Sequence, residues 1–147
     1  MKIKFCGAAR TVTGSCYLID NGETKFVVDC GAFQGIDSYE KNREPFPFDP
    51  STIDYIFLTH AHYDHCGRLP ILIKQGFHGR IISTQPTRDL TKLVLLDSAK
   101  LQQEDFERWE VRAKESDNPE LIEKNRPLYS ESDVEATMDL FEIYPYG

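Results

Sequence analysis

The chain has 147 residues, 40% of them hydrophobic, and 17 Lys and Arg against 24 Asp and Glu give a net charge of -7. That length can bury the core of one domain or part of one, and no apolar run approaches the length a membrane-spanning helix needs. The start, Met1-Lys2-Ile3-Lys4-Phe5, lacks a signal-peptide hydrophobic segment. The four cysteines, 6, 16, 30 and 66, form no Cys-x-x-Cys pair, so they read as reduced, buried thiols of a cytoplasmic protein.

In chain order, Lys2–Phe5 and Ser15–Asp20 read as strands, and Asn21-Gly22 reads as a hairpin turn into a third strand, Thr24–Asp29. A polar, Pro-containing loop from Gly31 to Pro50 leads to Tyr55–Leu58, a short apolar run expected to be a buried strand. Arg68–Gln75 is expected as a short helix stopped by Gly76, and Arg80–Ser83 as another strand. His78, in the turn between them, reads as a solvated residue. From Thr87 to Lys114 the pattern is a long helix with Leu90, Val94, Asp97 and Leu101 on its inward stripe. The charged stretch Gln102–Asn125 reads as the solvated end of that helix and a mobile connection. A last helix is expected near Ser132, where Ser132-Asp133-Val134-Glu135 has capping-box spacing and Val134, Met138 and Phe141 form the apolar face. Strands followed by covering helices imply an α/β layer with a mixed sheet.

His60-Ala61-His62-Tyr63-Asp64-His65 places three of the four histidines and a carboxylate within six residues at a strand's carboxyl end. Imidazole nitrogen and carboxylate oxygen are the donors that zinc and similar ions take, so the run reads as a metal site. His60 and His62, two apart on extended backbone, point to one side and can grip one ion, which leaves Asp64 and His65 for a second. Two adjacent metals activate water as hydroxide and stabilise the charge that builds on phosphoryl or carbonyl oxygen. Asp29 closes its strand at a chain reversal, where a carboxylate can reach a histidine N–H and fix its tautomer.

His-x-His-x-Asp-His after a strand resembles the signature of metallo-beta-lactamase-fold hydrolases. Gly14-Ser15-Cys16-Tyr17-Leu18-Ile19, Val27-Val28-Asp29-Cys30-Gly31-Ala32-Phe33-Gln34-Gly35, Cys66-Gly67-Arg68-Leu69-Pro70, Thr87-Arg88-Asp89-Leu90 and Leu95-Leu96-Asp97-Ser98-Ala99-Lys100 resemble its beta-CASP branch of RNA-processing nucleases. The resemblance implies that His60 and His62 ligate one zinc and that Asp64 and His65 ligate the second. It casts Asp64 and Asp29 as catalytic, Asp29 as the first-motif aspartate supporting the site. The family's later ligands are a third histidine for the first zinc, a bridging aspartate and another histidine. They match nothing here, so residues 1–147 are expected to be the N-terminal portion of an αββα sandwich, with the C-terminal half and the beta-CASP domain absent.

The function expected is a metal-dependent exo- or endoribonuclease that uses zinc-activated hydroxide on a phosphodiester, with RNA as substrate of the full enzyme. An acidic chain fits a polyanion poorly, but two divalent ions return positive charge locally. Arg68 and Arg88 are candidate phosphate contacts, though surface arginines with no ligand are the readier reading. Two other readings stand beside this one. The chain is a non-catalytic truncated module that self-associates through surface left uncovered, or it is a hydrolase of a small thioester or lactone.

Overall fold

The computed structural model describes residues 1–146. A six-stranded mixed sheet runs in chain order. Strands β1 (Lys2–Phe5), β2 (Tyr17–Asp20) and β3 (Lys25–Val28) form an antiparallel meander, with Lys2 opposite Asp20 and Tyr17 opposite Val28. The hairpin between β2 and β3 closes by the Asn21 N–H donating to the Thr24 carbonyl at 3.2 Å, with Gly22 at φ +97°. Its tip is therefore Gly22 and Glu23, one residue beyond the Asn21-Gly22 pair, because the Asn21 side chain is occupied accepting from the amides of Glu23 and Thr24.

The sheet then becomes parallel through β4 (Tyr55–Phe57), β5 (Arg80–Ser83) and β6 (Phe141–Ile143). Parallel strands added in one direction by right-handed crossovers place every connecting helix on the same face. Burial follows that rule. Val27, Ile56 and Ile81 stand side by side in register and are fully buried. They pack with Leu69 and Leu72 of α3 (Leu69–Lys74), Leu95 and Ala99 of α4 (Gln85–Glu115), and Val134 and Met138 of α6 (Glu131–Met138). Among the described residues, no layer covers the opposite face. Phe5 is 66% exposed, and Tyr55 and Phe57 are each 41% exposed.

Tyr55–Leu58 contains the strand expected, buried at Ile56 and Leu58 but on one side only. Corrections concern the helices. The inward stripe of α4 is Thr91, Leu95 and Ala99, with Val94 of the expected stripe half-buried against the core, while Leu90, Asp97 and Leu101 face solvent. The inward face is rotated from the expected stripe because the sheet underneath, not the count of leucines, chooses it. Residues 102–115 are the largely exposed end of α4, as expected, but the connection after it contains a further short helix, α5 (Glu120–Lys124). The capping box of α6 is built by Ser130 and Asp133, two residues ahead of the expected one. Phe141 belongs to β6, beside Ile81, and not to the helix. The loop after Gly31 includes a short helix, α1 (Ser38–Lys41), and residues 63–66 of the histidine motif form α2 (Tyr63–Cys66).

Candidate metal centre

The histidine motif leaves the carboxyl end of β4 and is clasped by backbone from two other loops. Cys30, Ala32 and Ser15 donate their amides to the carbonyls of His65 (2.8 Å), Tyr63 (3.0 Å) and Asp64 (2.9 Å). A four-residue helix leaves the carbonyls of Asp64 and His65 without partners in its own ladder, and Ser15 and Cys30 supply them, while the Tyr63 carbonyl accepts from both Gly67 and Ala32. Gly31 is required for so close an approach, since a Cβ there would stand 1.6 Å from the Asp64 carbonyl oxygen.

Asp29 is the hub beneath the motif. It is 2% exposed and lies at φ +59°, a conformation that Asp adopts more readily than most residues. Its carboxylate accepts from the Thr59 amide (2.9 Å), the Thr59 hydroxyl (2.9 Å), the Ser15 hydroxyl (3.2 Å) and His65 Nδ1 (2.7 Å). The Thr59 oxygen also lies 2.9 Å from His60 Nδ1. A hydroxyl has one proton, and here it goes to the carboxylate, so the Thr59 oxygen accepts from His60 Nδ1–H. In their neutral forms both His60 and His65 therefore carry the proton on Nδ1 and keep an Nε2 lone pair.

The ring centroid of His60 is 4.6 Å from that of His62 and 4.0 Å from that of His65. Asp64 Oδ2 lies 3.7 Å from His65 Nε2. Burial first, then the neighbouring His65 and His62, lowers the pKa of His60 and favours its neutral, metal-binding form. The donor chemistry of three imidazoles and a carboxylate fits a divalent ion such as zinc. As they stand, no three or more His, Cys, Asp or Glu side chains among the described residues are arranged as a cluster that holds an ion.

Cys30 and Cys66 flank the motif as the buried thiols expected, both fully buried, and burial pushes the Cys66 thiol up to about 12. His78 is exposed, with Nδ1 3.0 Å from the Gly76 carbonyl. Arg68 is not a surface phosphate contact. It is 5% exposed, donates to the Glu44 carbonyl at 2.7 Å and lies 4.2 Å from the centre of the Phe46 ring. Arg88 pairs with Asp89 at 3.3 Å. Sequence reasoning missed Thr59 and Ser15, whose only signal is adjacency to motif residues. It also missed a hydroxyl cluster in which Tyr63, Ser98 and Tyr129 meet at 3.0–3.5 Å and tie α2 to α4.

Residues 9–142 match the metallo-beta-lactamase superfamily. The chain is 45% identical over 106 residues to a ribonuclease of Thermus thermophilus, covering 72% of this chain and 24% of that protein. It is 36% identical over 102 residues to transcription termination factor FttA of Methanosarcina mazei, covering 66% and 16%. It is 29% identical over 143 residues to cleavage and polyadenylation specificity factor 73 of Drosophila melanogaster, covering 97% and 18%. The chain thus spans a quarter or less of the curated relatives it matches. Among solved structures, human tRNase Z, short form, aligns with a TM-score of 0.45 at 22% identity over 65% of this chain and 39% of that one. Proteins of this superfamily bind metal ions, often zinc. The chain belongs to the metallo-beta-lactamase superfamily, and its relatives lie in the beta-CASP RNA-processing branch.

Proposed function

We propose that the chain is the histidine-bearing, N-terminal part of a zinc-dependent phosphodiesterase that cleaves RNA in the cytoplasm. His60 and His62 would hold one ion, and Asp64 and His65 a second. When bound, such ions supply a low-pKa water and offset the charge that builds on a phosphoryl oxygen. The protein's own part is orientation. Asp29 fixes the rings of His65 directly and His60 through Thr59, and this shared anchor is the observation that carries the reading. Asp64, 3.7 Å from His65 Nε2, adds negative charge beside that donor nitrogen.

The uncovered sheet face supports a partial domain over residues 1–147. Ile3, Phe5, Tyr55 and Phe57 are exposed on it, with Phe26 and Phe57 in edge contact at 5.4 Å, a pattern suited to a second sheet packed on top. The same face supports self-association of the chain on its own.

The test is zinc content after dialysis of the parent and of a His60→Ala, His62→Ala double variant, followed by cleavage of a labelled single-stranded RNA. Zinc held by the parent and lost in the double variant is the expected result. Zinc absent from both, or equal in both, overturns the assignment of these ligands. Zinc bound without cleavage, alone or after addition of the rest of a relative's catalytic domain, overturns the RNA reading.

A further inference from the structure

Beside the histidine motif, and sharing Tyr63 with it, a cavity of about 350 Å³ opens between α1, the outer half of α4 and residues 125–128. Its wall carries Tyr39, Tyr63 and Trp109 together with Arg43 and Arg126, in a chain whose net charge is -7. The one carboxylate among its described lining residues, Asp105, is already paired with Arg108 at 2.8 Å. Aromatic planes beside guanidinium groups are what an unstacked nucleobase and its phosphate pack against.

The cations are held in place. The Arg43 guanidinium lies 3.8 Å from the centre of the Tyr39 ring and donates to the carbonyls of Arg126 (2.9 Å) and Tyr39 (3.3 Å), which leaves it further N–H groups. Arg126 has its Nε 3.0 Å from Glu123, in a surface pair that water and salt screen. Arg112 stands 5.0 Å over the Trp109 ring and covers one of its two faces. The amides of Asn42 and Gln102 in the wall, by contrast, are committed, and Asn125 donates its Nδ2 to the Leu121 carbonyl. Asn42 uses both ends on the Phe33 backbone, and Gln102 bonds Ser98 and Leu128. Rings and positive charge remain for a ligand, but few groups that tell one base from another.

We propose that this cavity binds one nucleotide of single-stranded RNA next to the metal motif, its base stacked on the open face of Trp109 and its phosphate against Arg43 and Arg126, with little preference for base identity. The inference rests on the RNA reading above. Trp109 is the only tryptophan in the chain, so its fluorescence reports this site alone. The experiment titrates the 147-residue chain with a short oligouridylate and an oligoadenylate while following Trp109 emission and, in parallel, the anisotropy of the labelled RNA. Saturable emission change at similar concentrations for both RNAs is expected. Removing one base-stacking ring is worth roughly 5- to 150-fold in affinity, so Trp109→Ala read by anisotropy should weaken binding by that much. Arg126→Glu, an exposed substitution that keeps the fluorophore as a check of folding, should weaken it as well. RNA that binds by anisotropy without altering Trp109 emission, and equally well in both variants, overturns the cavity and leaves the RNA reading standing. No binding of RNA at all overturns the cavity, and cleavage of RNA by the zinc-loaded protein then decides separately whether the RNA reading survives.

Discussion

Replacing Asp29 by Asn separates the part proposed for this residue in metal binding from its part in folding. Asn tolerates the φ of +59° at this position and keeps the volume of the side chain, so the backbone is not disturbed. The carboxylate accepts from four donors, namely the Thr59 amide, the Thr59 hydroxyl, the Ser15 hydroxyl and His65 Nδ1. The amide of Asn keeps one oxygen for two of them and turns two N–H groups toward the rest. Ser15 adapts by rotating its hydroxyl. His65 adapts only by moving its proton from Nδ1 to Nε2, which removes the lone pair a metal needs. Losing such an orienting partner costs ~10- to 100-fold in metal affinity, the size of change expected here. Stability should fall by about 1–3 kcal/mol for the charge-assisted bonds exchanged for neutral ones. In a domain of this size that lowers Tm by roughly 2–12 °C, at ~2–4 °C per kcal/mol. Asp29→Ala, which adds buried unsatisfied donors and an unfavourable φ, should lose more of both. The assays are thermal unfolding by circular dichroism and zinc affinity by chelator competition, with nitrogen chemical shifts of His65 reporting the tautomer. An Asp29→Asn variant that holds zinc as tightly as the parent, with His65 still protonated on Nδ1, would refute the reasoning.

Three other expectations come from the same structure. Gly31→Ala drives a methyl group to 1.6 Å from the Asp64 carbonyl oxygen, so the clasp on α2 must open. Thermal unfolding should show a loss of several kcal/mol, upwards of ~3, with metal binding lost alongside. On α4, Leu95→Ala empties a fully buried site and should cost ~2–5 kcal/mol, whereas Leu101→Ala on the solvent side should stay within about 0.5 kcal/mol. Equal costs in denaturant titrations would show that the face is wrongly assigned. The thiolate is the reactive form of cysteine. Because Cys66 is pushed up to about 12 and the pKa values of Cys6 and Cys16 are also raised by thiol contacts and burial, these three should resist a thiol reagent near neutral pH in the folded protein and react once it is unfolded. Fast labelling of Cys66 in the native state would contradict its burial.

The sequence by itself determined what short-range spacing can carry. The histidine motif, the three strands of the meander, the Gly76 stop after α3 and the span of α4 depend on residues within a few positions of one another, and the family followed from those motifs. Asp29 was legible too, because a carboxylate at the end of an apolar run before Cys30-Gly31 is a local pattern. The rest is decided by contacts between distant parts of the chain. Thr59 and Ser15 matter only because β2, β3 and β4 bring them within 3.2 Å of Asp29, and neither residue type is unusual where it stands. The inward face of α4 is set by the sheet it covers, so the helical period allowed the stripe through Leu90 and Leu101 as readily as the one through Leu95. The sixth strand is only three residues long and pairs with β5 across the whole of α4, α5 and α6, a length at which propensity says little and pairing says everything. The bare face has the same origin. Apolar residues on both sides of a strand show that two layers are wanted, but only the direction of the crossovers decides which side this chain covers itself.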